Sequence, residues 1–416
     1  MRLKFLSALL MLSPLLISGP KVKNNALFPV MKDGKTGYIN ARGELVVPCQ
    51  YSSINNSDLP TYGEGLIPFC KDYKWGFLDN KGTVLVEPKY SKARSFKDGY
   101  ACVEMSDGSI YSISNKAGYV DRTGKEVIPP KYYKPFLTTN GLSDGMMAVN
   151  LPESYGKNRE GYIGIDGTEY FNKTYNMAGD YKSGMAPAQI EKDGQFGYIN
   201  KSGEWVILPN FSYAYPFNDD GIAQVSYADN TWGLIDKNGK SLVKGADCSP
   251  VSFLGPGYYS DGLMEVKTAT KYGYMDAKGE MAIPLKFDYA AGSFSDGIAV
   301  VNNGCTKTKG SWGLEDIKGG TWMIIDKNGN VKKTLSGNYD EVSGFSDGMA
   351  VVKKDDKYGY INTDGTEIVA PTWAERPESF HNGLGRFYLP GSASYAAVKP
   401  FGYVNKQGKI VWEASM

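Results

Sequence analysis

Short apolar runs separated by glycine, asparagine and aspartate recur from about residue 30 to the end of the chain. Three blocks keep the same order. The first is a polar residue, a glycine and an apolar stretch, as in Asp296-Gly297-Ile298-Ala299-Val300-Val301. Its glycines are 65, 99, 145, 184, 221, 262, 297, 348 and 383, spaced about 40 residues apart, and Asp precedes six of them: 98, 144, 220, 261, 296 and 347. The second block is aromatic-Gly-aromatic-aliphatic-Asn/Asp followed three residues later by Gly. Phe196-Gly197-Tyr198-Ile199-Asn200 to Gly203 and Tyr272-Gly273-Tyr274-Met275-Asp276 to Gly279 are examples. The third is an apolar stretch, a proline and an aromatic, as in Val84-Leu85-Val86-Glu87-Pro88-Lys89-Tyr90.

Short β-branched and aromatic runs bounded by turn residues predict strands. Asp/Asn-x-x-Gly between two of them predicts a hairpin turn, with Gly supplying a positive φ. Proline at the end of the third run predicts the end of pairing. The unit is therefore a three-stranded antiparallel meander, joined to the next by a Ser/Gly/Phe-rich connector. The glycine between aromatics predicts close approach of a neighbouring unit. One such unit cannot bury its own faces, so neighbours must stack. The predicted fold is all-β, a tandem array of meanders covering residues 21–416 as one domain. Ten units exceed the usual four to eight blades of a propeller. The expectation is an open, twisted, solenoid-like array, with a closed propeller-like ring as the alternative.

The repeat signature runs through Trp75, Gly76, Gly197, Trp232, Gly233, Gly273, Trp312, Gly313, Gly359 and Gly402. Lys74-Trp75-Gly76-Phe77-Leu78-Asp79-Asn80-Lys81-Gly82, the following Pro-x-Tyr and Phe96-Lys97-Asp98-Gly99 resemble the WG, or KWG, repeat family of bacteria. The resemblance implies an all-β array, frequent in exported or surface proteins. It brings no catalytic residue and no cofactor. Tyr or Phe replaces Trp in several copies, and Glu160 stands there in the copy at Gly161.

Met1-Arg2-Leu3-Lys4 precedes an apolar run from Phe5 to Ile17. This has the form of a secretory signal over residues 1–20, with an uncleaved anchor as the alternative. No later stretch is apolar enough to span a bilayer, so the expected location is exported: periplasmic, surface or secreted. Basic and acidic residues balance, 46 against 45, which gives no electrostatic footprint for nucleic acid. The five cysteines (49, 70, 102, 248 and 305) form no C-x-x-C motif. Cys49 and Cys70 could pair after export; the reading preferred here is small buried hydrophobes.

Candidate chemistry is sparse. Gly344-Phe345-Ser346-Asp347-Gly348 matches G-x-S-x-G, but Ser-Asp-Gly recurs in repeat register at 143–145 and 295–297, whereas a nucleophile elbow is used once. Asp236-Lys237-Asn238-Gly239 and Asp326-Lys327-Asn328-Gly329 lack the ligand order of a calcium loop. His381, the single histidine, falls in a turn. No metal or cofactor is expected. Out-of-register aromatics are the candidate ligand contacts: Tyr258, Tyr259, Tyr132, Tyr133, Trp322 and Tyr395. Insertions at 303–321 and 385–400 are candidate specialised loops. The expected function is a non-catalytic exported scaffold that binds a protein partner at the cell envelope. Carbohydrate or cell-wall binding through exposed aromatics is the alternative.

Overall fold

The computed structural model describes residues 25–52, 60–106, 116–133, 142–151, 159–229, 231–244, 249–250, 260–268, 270–309, 315–389 and 399–413. Trp312, Gly313, Cys248, Tyr258, Tyr259, Tyr395 and the signal-like segment lie outside them. The chain forms ten antiparallel meander sheets in sequence order: 28–52, 66–90, 92–132, 142–175, 177–211, 213–244, 249–287, 289–334, 341–373 and 384–413. They are the ten blades of a closed β-propeller. Blades 1, 2 and 10 have three described strands each and the other seven have four.

The expected open array is thereby corrected. Phe28, Val30 and Ile39 of blade 1 share a buried cluster with Leu384, Phe401 and Tyr403 of blade 10. The Tyr403 hydroxyl donates to the Pro29 carbonyl at 3.1 Å. An open stack would leave one apolar face bare at each end; here the two end faces cover each other. Closure depends on the angle at each interface, which repeat number does not fix.

The fourth strand is a second correction. It comes from the supposed connector, as Met177–Ala178 before Met185–Gln189, or Tyr289–Ala290 before Ile298–Asn303. The Asp-Gly pairs are the reason. Asp98, Asp144, Asp261, Asp296 and Asp347 have φ of 51–57°, and each following glycine has φ of 76–89°. Two successive positive φ values make a type I′ hairpin turn, which folds the connector back along the next strand. The Asp-x-x-Gly turns form as expected. Asp79 Oδ1 accepts the Lys81 and Thr83 N–H groups at 2.8 Å each, and Gly82 has φ +83°.

The glycine between aromatics does allow close approach, but from its own blade. A Cβ at Gly76 would lie 2.2 Å from the Val86 carbonyl, and one at Gly359 2.3 Å from that of Val369. Both partners lie on the blade's last strand, where the register shifts. Nor does proline end that strand: Val84–Tyr90 continues two residues past Pro88. A bulge on an outer edge accommodates the missing N–H.

Neighbouring blades are fastened at three radii. At the turn tips, an acid accepts the next blade's glycine N–H: Asp144 from Gly184, Asp261 from Gly297, Asp347 from Gly383. In the middle, the tyrosine of Gly-Tyr donates to the next blade's main chain. Tyr162 donates to Gly179, Tyr198 to Tyr215 and Tyr274 to Gly292, at 2.8–3.0 Å. At the rim, Tyr90 and Tyr339 donate to Glu126 and Glu367, and Tyr132 donates to Glu169. Tyr198 is fully buried. Tyr198→Phe is expected to remove this inter-blade hydrogen bond and to cost about 0.5–1.5 kcal/mol, read from the urea midpoint at unchanged m.

Two carboxyl groups lie inside the interfaces. Glu160 accepts the Ala178 N–H at 2.5 Å, and burial pushes its pKa up to about 7. Glu265 is 6% exposed, opposite Tyr274 in the sheet, and its Oε1 has no hydrogen-bond partner.

Candidate functional site

Blade 10 departs from the repeat at the seam. Three residues after the turn glycine, other blades carry Pro68, Cys102, Ala148, Pro187, Val300 or Val351, and in two cases the polar Gln224 and Glu265; blade 10 alone carries a cation, Arg386. Strand Leu384–Tyr388 holds it, with its side chain 12% exposed. The guanidinium pairs with Glu378, which also accepts the Tyr388 hydroxyl at 2.6 Å. It lies 5.3 Å from the Phe401 ring centroid and 5.8 Å from that of Tyr388. Its Nε is buried without a partner. Burial opposes the charge, but Tyr403 and Glu378 outweigh burial and hold the Arg386 pKa above the ordinary arginine value.

Beside this pair a cleft of about 110 Å³ opens between blades 10 and 1. Leu27, Pro29 and Leu384 form apolar wall, and Thr61, Ser379, His381 and Asn382 add hydrogen-bonding groups. His381 is exposed, one residue before the Asn382-Gly383 turn, as the sequence suggests. The arrangement can hold a small polar group by hydrogen bonds against a fixed ion pair. Ser346 is engaged elsewhere, donating to the Phe380 carbonyl at 2.8 Å, and it precedes a hairpin turn rather than a helix. Among the described residues no group of three or more His, Cys, Asp or Glu is placed to hold a metal ion. Cys49, Cys70, Cys102 and Cys305 form no disulfide, and Cys70 and Cys102 are buried.

Of the expected aromatic contacts, the described ones, Tyr132, Tyr133 and Trp322, do not line the seam cleft. Tyr132 and Trp322 are buried, at 9% and 3% exposure, so the surface placement expected for them is corrected. Trp322 donates from Nε1 to the Tyr339 carbonyl at 2.9 Å and fills the signature-aromatic position of blade 8. The hairpin Thr306–Lys309 with Glu315–Lys318 is inserted before it, which displaces it from the apparent register. Tyr133 is exposed, with Lys116 Nζ 5.8 Å from its ring. Arg386 and Glu378 were missed, although a cation at a repeat position where no other blade carries one was a visible signal.

A second departure lies on the rim. Two residues after the turn glycine, blades 3, 4 and 9 carry Glu126, Glu169 and Glu367, six others carry Leu45, Val84, Ser241, Met281, Val331 and Ile410, and blade 5 alone carries an aromatic, Trp205. Between blades 4 and 5 a hollow of about 380 Å³ opens, lined by Lys173, Thr174, Tyr175, Ile190, Glu204 and Trp205 with Gly203.

The profile described as "WG containing repeat" matches residues 37–75, 75–108, 118–142, 196–230, 272–304, 322–358 and 358–388. No curated protein matches the chain. Among solved structures, a eukaryotic initiation factor aligns at 10% identity over 92% of this chain and 94% of its own, with a TM-score of 0.50. BamB from Moraxella catarrhalis aligns at 12% identity over 81% and 88%, with a TM-score of 0.31. The first likeness concerns fold alone and runs through almost the whole ring.

Proposed function

This chain belongs to the WG-repeat family, and from that premise we propose that it is a non-catalytic, exported scaffold that engages a protein partner at the cell envelope. The seam cleft carries this reading. The repeated tyrosines, acids and glycines are spent on holding blade to blade, so recognition falls to residues that break the repeat. Arg386, Glu378 and His381 do so together at one place. Arginine anchors with fixed orientation suit a protein interface. The cationic start and the apolar run over 5–17 support export. No helix among the described residues is long and apolar enough to cross a membrane.

The test uses the full chain in cells, with a photo-crosslinking residue at His381 and, as control, at exposed Lys125 of blade 3. A discrete adduct from position 381 alone, formed outside the cytoplasm and lost in Arg386→Gln, is expected. Equal labelling at both positions, or a chain retained in the cytoplasm, counts against the proposal.

A further inference from the structure

We propose that the hollow between blades 4 and 5 is a carbohydrate site that takes a pyranose ring on the Trp205 indole, an activity beyond the protein-binding reading above. The argument begins with the rim fastener. At junctions 2–3 and 3–4 a last-strand tyrosine donates to a glutamate two residues past the next turn glycine. At junction 4–5 the tyrosine is Tyr175, and Trp205 holds the glutamate's position. In place of a carboxylate partner for Tyr175, an indole stands there, and the 380 Å³ hollow opens beside it. That lies within the ordinary range for small-molecule sites, about 300–1,000 Å³.

The lining fits a sugar better than an apolar side chain. Trp205 is half-buried and lines the hollow with its neighbours Glu204 and Lys173 exposed. Lys173 Nζ donates to the Gly203 carbonyl at 2.8 Å, and an ammonium has two further donors. Glu204 Oε2 accepts Asn200 Nδ2 at 3.0 Å, leaving Oε1 as an acceptor. The Tyr175 phenol lies beside Gly203, 3.0 Å from where a Cβ there would stand, and a phenol both donates and accepts. A pyranose offers a C–H face to an indole and hydroxyls that meet an acceptor, a donor and a group that is both. An apolar peptide anchor in the same place would strip water from Lys173 and Glu204 without replacing it.

The probes are cellotetraose, maltotetraose and chitotetraose, titrated into the full-length protein by calorimetry. At least one is expected to bind with a Kd below ~10 mM, and Trp205→Ala is expected to weaken it about tenfold or more. Trp205 also packs on the blade 4–5 core, so Glu204→Gln, at an exposed position, and Tyr175→Phe provide variants that leave the packing in place. Each is expected to weaken the same sugar about threefold to tenfold. No binding by any of the three sugars overturns the proposal. So does binding that both Glu204→Gln and Tyr175→Phe leave unchanged, or a hollow that takes a phenylalanine-bearing peptide and none of the sugars.

Discussion

A chain that ends at Pro377 is expected to lose its cooperative fold, not a tenth of its stability. In a linear stack, removing the last repeat removes one interface and leaves the rest intact. In this ring, blade 10 has two. Phe387 and Val404 pack with Met349, Val351 and Tyr360 of blade 9, and Phe401 and Tyr403 pack with Phe28, Val30 and Ile39 of blade 1. Exposing the three blade 1 side chains forfeits about 1.5–3 kcal/mol apiece. Their sum approaches the net stability of an ordinary domain, roughly 5–15 kcal/mol, before the blade 9 face is counted. Urea unfolding followed by circular dichroism, with size-exclusion chromatography, reads the outcome. A monomeric truncated chain with nearly the full-length midpoint would contradict the closed ring.

Glu265→Gln is expected to stabilise the protein above neutral pH and to remove much of its pH dependence. Burial raises the Glu265 carboxyl to about 8, with Lys267 opposing the shift. Below about pH 4.5 the carboxyl is protonated both folded and unfolded, and its contribution is at its best. As pH rises toward 8, the unfolded chain releases this proton while the folded chain keeps it. Stability therefore falls across that window and stays low beyond it. The total is on the order of 5 kcal/mol, at 1.36 kcal/mol for each unit of separation. Glutamine keeps the shape and has no proton to lose. Glu160, raised to about 7, contributes a smaller decline of the same sign that should persist in the variant. Urea midpoints at pH 5, 7 and 9 decide it. A variant with the parent's slope would mean that Glu265 is ionised and stabilised in the fold.

The strands and the Asp-x-x-Gly turns were legible because their causes are local. Alternation, β-branching and a positive-φ glycine all lie within ten residues of each other, as at Trp75–Val86. The innermost strands were not. Lys92–Ala93 is two residues long, too short for any hydrophobic period, and only the turn conformation of Asp98-Gly99 reveals it. Closure was illegible for the opposite reason, being decided by packing between residues at opposite ends of the chain. The candidate site was half legible. The aromatics were sought because they left the repeat register, yet Trp322 left it only through an insertion and is core. Arg386 and Trp205 keep the register and change the chemistry. Aligning the repeats by position, rather than asking which residues fall outside them, is what exposes both.

The bond from Tyr403 to Pro29 spans 374 positions, while the other inter-blade fasteners described above join blades consecutive in sequence. Folding can therefore advance blade by blade during synthesis, each step closing only a short loop. Blade 1 is finished first and covered last. Until the ribosome has released blade 10, the face bearing Phe28, Val30 and Ile39 has no lid, and the nascent chain is an incomplete ring with an uncovered apolar surface.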